Sequence, residues 1–212
     1  MAQMPRKQGT CRELSIVDVR REAEEDFVRK LTILMCLVVC SVVGFAQESA
    51  AANPYSSFNK MAFQRMQDIL LRSAEKMPEE NYSFKPADSV RSYGQIVGHV
   101  ADAQYMFCSM AMGEKNPDLK IEETKKSKAD LIAALKASND YCNKAYGGMT
   151  DASGAPAIKL FGQFDVPKLD VLVVNLMHDN EHYGNLVTYM RMKNIVPPTS
   201  EEQGAPTPPA KK

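Results

Sequence analysis

His178 and His182, four residues apart, are the part of this 212-residue chain best suited to chemistry, and with His99 they make up its three histidines. On an α-helix, residues four apart lie one above the other on one face, so both imidazoles can aim at a single point. That is half of a metal site. A third imidazole arriving from a neighbouring helix at His99 would put three neutral nitrogens around a divalent cation such as Zn²⁺ or Ni²⁺, leaving a position open for water or substrate. A cation held this way lowers the pKa of a bound water or thiol and generates a nucleophile near neutral pH. Glu181 beside His182, and Asp102 one turn after His99, are the candidate catalytic residues for moving protons. Together with Asp179 and Asn180 they are also the polar groups near enough in sequence to orient a ligand imidazole by accepting its other N–H. Asn175 and Asn185 share the histidine face, which is therefore expected to line an internal cavity.

The string His178-x-x-Glu181-His182 also has the H-x-x-E-H order of inverted zinc peptidases, in which the glutamate is a general base. Those enzymes are much larger and take their third ligand from far downstream, where this chain has no histidine. The other alternative is a bundle without catalysis, in which the metal is structural or the cavity holds a small ligand.

Four segments have the periodicity needed to position these residues. From about Tyr55 to Met77, apolar residues recur at Phe58, Ala62, Met66, Ile69, Leu70 and Met77, mostly at three- and four-residue spacing, and Pro78 closes the run. Asp88 or Ser89 can cap a second helix that reaches Met112, with Tyr93, Ile96, Val97, Val100, Phe107 and Met110 inward, His99 in its middle and Gly113 just beyond its end. After a polar loop, Ser127-x-x-Asp130 fits a capping box for a third helix carrying Leu131, Ala134, Leu135, Tyr141, Cys142 and Tyr146. The long connection from Met149 to Val166 has the length of a lid, or its Phe161 and Phe164 plug one end of the bundle. Pro167 suits the first turn of a fourth helix, which runs to about Lys193. No strand pattern is evident, so the fold class expected is all-α, a four-helix bundle over residues 47–198.

The ends are read separately. Arg29-Lys30 followed by the apolar run Leu31 to Val43 and by Gly44-Phe45-Ala46 has the order of a secretory signal peptide, with cleavage after Ala46. The run is short for a permanent span, so no stable membrane anchor is expected after cleavage. Residues 1–28 precede the basic end where such a signal normally starts, which suggests a start site assigned too far upstream. Residues 1–46 are therefore set aside as a leader, and the protein is expected to be exported, periplasmic or extracellular. The segment 199–212, rich in proline and alanine, is expected to be a disordered tail. Outside the leader only Cys108 and Cys142 remain, a disulfide or two buried free thiols. A disulfide would favour parallel second and third helices: the axial mismatch is about 6 Å if they are parallel and about 15 Å if antiparallel. The formal net charge is zero and no long run of one sign occurs, which excludes a nucleic-acid binder. The partner expected is a small-molecule substrate or ligand, and a homodimer is compatible with the sequence.

Gly98-His99-Val100-Ala101-Asp102-Ala103, together with His178-Asp179-Asn180-Glu181-His182-Tyr183-Gly184-Asn185 and Tyr189-Met190-Arg191, resembles the DinB-like superfamily, whose name does not denote the polymerase. The resemblance runs from about Tyr55 to Pro198. It implies an up-down-down-up four-helix bundle, a divalent metal on His99, His178 and His182, and in some members transfer of low-molecular-weight thiols to electrophiles. An exported location departs from the cytosolic thiol transferases.

Overall fold

The computed structural model describes residues 52–204, so the leader and signal peptide expected over 1–46 lie outside the described residues. Four long helices dominate: α1 (Pro54–Lys76), α2 (Tyr93–Met112), α4 (Lys128–Gly148) and α6 (Lys168–Met192). Between and after them come the short helices α3 (Ile121–Thr124), α5 (Asp151–Gly154) and α7 (Pro198–Glu202). The connection expected to be a lid or plug contains a hairpin, β1 (Ala157–Leu160) antiparallel to β2 (Phe164–Pro167), which the sequence reading did not anticipate. Its Leu160 is buried, whereas Phe161 and Phe164 are more than half exposed. No helix among the described residues is long and apolar enough to cross a membrane.

The helix ends have local causes. The Ser92 hydroxyl accepts from the Gln95 amide, and the Gln95 side chain accepts from the Ser92 amide, a reciprocal cap that starts α2 three residues later than a cap at Ser89, or four later than one at Asp88, would have done. Gly113, at φ 73°, supplies the left-handed residue that ends it. Ser127 caps α4 as expected, accepting from the Asp130 amide at 3.1 Å. The start of α1 is capped from a distance, since the Asp151 carboxylate accepts the Ser56 and Tyr55 amides at 2.8 and 3.2 Å.

Two apolar clusters fill the interior. One joins Ile69, Leu70, Tyr82, Tyr93, Leu131 and Met190 among others. The second gathers Phe63, Phe107, Tyr146, Leu172 and the bonded pair Cys108–Cys142, and Phe63 stacks on Tyr146 with centroids 4.2 Å apart. Phe58, expected in the core, is exposed, and Ser56, Asn59 and Phe63 are buried in its place at the start of α1, while Ile69 and Leu70 are buried as expected. Partners on α2 and α4 rise together: Gly98 lies against Leu131, Gln104 bonds Ser138, and Cys108 is bonded to Cys142 with Cα atoms 5.3 Å apart. Partners along α2 and α6 run oppositely: the Arg91 carbonyl, just before α2, accepts from the Tyr189 hydroxyl, and Gln104 further along α2 bonds Asp179 earlier in α6.

Residues 198–202, assigned from 199 onward to a disordered tail, form a helical turn. The cause is electrostatic as well as local: Pro198 opens the turn, and Glu201 and Glu202 pair with Lys76, Arg65 and Arg72 of α1.

Candidate metal centre

The site sits where α2 and α6 cross. His178 Nε2 lies 3.2 Å from His99 Nε2 and 3.1 Å from His182 Nε2. One ligand nitrogen from each ring falls within 4.8 Å of the others. In a tetrahedral zinc site with Zn–N bonds of about 2.0–2.1 Å, neighbouring nitrogens stand roughly 3.3 Å apart. The observed spacings therefore suit a cation of that size, and the donor set, three imidazoles, suits Zn²⁺ or Ni²⁺.

The far sides of the rings decide which nitrogen is free to bind. His99 Nδ1 lies 3.0 Å from Glu122 Oε2, and an ionised carboxylate only accepts, so the proton sits on Nδ1 and the Nε2 lone pair faces the other rings. Glu122 is held in turn by Arg91, whose Nε donates to Oε1 at 2.8 Å. His182 Nδ1 lies 3.4 Å from Asn185 Nδ2; turning that amide over would set its oxygen there to accept a proton from Nδ1. His178 Nδ1 is buried without a hydrogen-bond partner among the described residues. Burial, followed by the neighbouring His182 and His99 imidazoles, holds His178 down at about 4. Burial and then His99 lower His182 as well. Both rings are thus kept neutral, the form in which imidazole binds a metal.

Glu122 reaches this position because α3 docks on α2. Gly98 permits the approach: a Cβ there would fall 2.8 Å from Glu122 Cα. Asp102, one turn on, accepts the Ile121 and Glu122 amides, each at 2.9 Å, with its two oxygens. Asp102 is thus engaged as the anchor of α3, and the carboxylate that meets an imidazole is Glu122. Neither Glu122 nor Arg91 was singled out in the sequence, because a contact spanning 23 residues through a loop leaves no periodic signal. The readable hint was Gly98 beside His99, a small residue where another backbone comes close.

The remaining candidates divide between two sides of α6. Glu181 is exposed and lines two cavities: an open polar one of about 630 Å³ that includes His182, Arg91 and Asn185, and an apolar one of about 550 Å³ that includes His178. Asn180 is exposed in the second. Asp179 is fully buried and turned away from the rings, accepting from Gln104 Nε2 at 3.1 Å and from Asn175 at 3.4 Å, with Oδ1 unpartnered among the described residues. Burial raises its carboxyl to about 8, against the hydrogen bond from Gln104. Asn175 also donates to the Tyr146 hydroxyl at 3.1 Å, so it belongs to this inner network and lines neither of the two cavities.

A helical protein with three converging histidines at its centre is the class that fold and site define. The chain belongs to the DinB superfamily, whose family model matches residues 62–186. Similar to it is an uncharacterised protein, YjoA, of Bacillus subtilis (strain 168), 28% identical over 122 residues that cover 56% of this chain and 77% of that one. The crystal structure of the same DinB-like protein aligns with a TM-score of 0.54 at 23% identity, covering 72% of this chain and 96% of that one. A DinB-like protein of Bacillus cereus aligns at 0.56 and 16% identity, covering 71% and 94%. A mycothiol-dependent maleylpyruvate isomerase shares the fold at 0.54 and 12% identity, over 62% of this chain and 60% of that one.

Proposed function

We propose that His99, His178 and His182 hold a divalent cation, Zn²⁺ or Ni²⁺, in an exported metal-dependent hydrolase or group transferase acting on a small molecule. The observation that carries this reading is the convergence of three Nε2 atoms, with His99 Nδ1 held by a carboxylate on its far side. A cation bound there supplies Lewis acidity, lowering the pKa of a coordinated water or thiol. The rest falls to the chain's own groups. Glu122 keeps the His99 proton on Nδ1, and Arg91 fixes Glu122. Glu181, on the rim of both cavities, is the carboxylate placed to take a proton from an incoming nucleophile or return it to a leaving group. Asp102 is a positioning residue that acts through α3.

Export is supported by the order of residues 29–46 and by the Cys108–Cys142 disulfide, a bond that persists in oxidising compartments. The up-down-down-up course is supported by α2 and α4 partners that rise together while α2 and α6 partners run oppositely. The mycothiol-dependent isomerase of similar fold makes thiol addition the first transfer to assay.

Elemental analysis after gentle purification, repeated on a His182→Ala variant, tests the reading. One equivalent of metal in the wild type, lost in the variant with the helical signal intact, is the expected result. Collapse of the helical signal points to a structural metal, and absence of divalent metal from the wild type refutes the proposal.

A further inference from the structure

The hairpin tip carries a residue that its backbone disfavours. Phe161 and Gly162 both have left-handed backbone, at φ 53° and 71°, and Gln163 N donates to Leu160 O at 3.1 Å to close the turn. Asn, Asp or Gly are the usual occupants of the first of these positions, because a bulky side chain there crowds its own carbonyl. Burial does not explain a phenylalanine here, since 52% of its surface is exposed. What the strained position does is bring the ring edge-on to Phe107, with centroids 5.9 Å apart, and Phe107 in turn meets the His178 imidazole at 5.8 Å. These three side chains, with Val174 and Met177, wall the apolar cavity of about 550 Å³. Met177 is itself 66% exposed beside this cavity, whose rim is completed by Asn180 and Glu181. One wall of the cavity is thus one of the three converging histidines, and Glu181 stands at the border with the polar cavity on the other side.

We propose that this cavity is an apolar subsite, with Phe161 as its specificity-determining residue, and that the substrate is a small molecule with a metal-binding polar head and an alkyl or aryl arm seated between Phe161, Phe107 and Met177. The proposal rests on the metal reading for the head and on the cavity alone for the arm. An arm placed there removes apolar surface from water on both sides, since Phe161 and Met177 lose their exposure as the arm does. The polar cavity beside His182 then receives the part of the molecule that stays hydrated.

The test uses the full chain with ¹³C-methyl-labelled methionine, the Met177 signal as reporter, and n-alkyl hydroxamates from acetyl to octanoyl as probes, with and without Zn²⁺. The expected affinity rises about two- to fourfold per added methylene, the range for half to full burial of each group. In Phe161→Asn, a residue that accepts the left-handed backbone, the rise with chain length disappears, the acetyl probe binds as before, and the thermal midpoint does not fall. Binding that needs Zn²⁺ but ignores chain length overturns the subsite and leaves the metal reading standing. Binding that grows with chain length and is indifferent to Zn²⁺ overturns the metal reading and leaves the subsite. A Phe161→Asn variant that keeps the full chain-length dependence removes Phe161 from the proposal, as does one that merely unfolds at lower temperature.

Discussion

Replacing Glu122 by Gln tests whether the carboxylate behind His99 serves the metal centre, because it removes the charge while keeping size and shape. Glu122 accepts from two donors, His99 at 3.0 Å through Oε2 and Arg91 at 2.8 Å through Oε1. An amide has a single acceptor oxygen, so it can serve only one of them and must turn its own NH₂ toward the other. If the oxygen stays on Arg91, the His99 Nδ1 proton faces an N–H and the ring is driven toward the wrong tautomer. Losing such a partner costs a metal site about 10- to 100-fold in affinity, or roughly 1.4–2.7 kcal/mol. The fold is expected to hold, since Glu122 is only partly buried and α3 stays anchored through Asp102 to backbone amides that the substitution does not touch. Competition with a chromophoric zinc chelator measures the affinity, and circular dichroism the fold. Wild-type zinc affinity in the variant would refute the reasoning, as would an equal loss in a Glu123→Gln control, since Glu123 is exposed on the same helix.

Two further predictions concern stability. The Cys108–Cys142 bond closes 34 residues, for which the loop-entropy relation gives about 3.8 kcal/mol, so a Cys108→Ala/Cys142→Ala double variant should unfold in urea with about 3–4 kcal/mol less stability; a loss under about 1 kcal/mol would contradict this. Asp179, raised to about 8 from an ordinary 3.8, keeps a proton in the folded state that the unfolded chain has lost, so its contribution to stability falls as pH rises between those values. His178 and His182, both lowered from 6.5, act in the opposite sense below that pH, which leaves pH 6.5–8 as the clean window. Across it, wild-type stability should decline by up to about 1.4 kcal/mol per pH unit relative to Asp179→Asn, and parallel profiles would refute the assignment.

The histidine face was legible in the sequence because helical geometry is local. At about 100° per residue, His178 and His182 lie within about 40° of each other on any helix. The same arithmetic puts Asn175 about 60° and Asp179 about 100° round on one side, and Glu181 about 60° round on the other. That ordering separates the buried Gln104-facing groups from the exposed rim, but only once the neighbours of α6 are known. The cap at Ser127 was found and the one at Ser92 was missed, although Ser92-x-x-Gln95 has the same reciprocal spacing, because Asp88-Ser89 offered equally good capping side chains earlier. The hairpin was missed because Ala157–Leu160 and Phe164–Pro167 are four residues each, too short for alternation to register. Glu122 was out of reach altogether, its role being created by the contact at Gly98 and not by any spacing along the chain.

The middle of the bundle is the costly part of this fold. Between the two apolar clusters, α6 buries Asn175, Asp179 and His182, with His178 half-buried, and α2 contributes Gln104 and His99. Each of these groups loses water, and Asp179 Oδ1 and His178 Nδ1 recover no hydrogen bond among the described residues. Burial keeps His178 neutral and drives the Asp179 carboxyl toward its neutral form, which limits the penalty without removing it. Stability must then come from the ends. The Tyr82–Tyr93 pair anchors one cluster, and the Phe63–Tyr146 stack and the disulfide anchor the other. The disulfide joins α4 to α2, the helix that carries His99 and Gln104, while α6 keeps two polar faces, one toward the network and one toward the converging histidines. Apolar replacement of the inner network would therefore stabilise the protein more readily than any change at the histidines. The persistence of polar groups beside His178 fits a helix held in one rotational setting by hydrogen bonds on its far side.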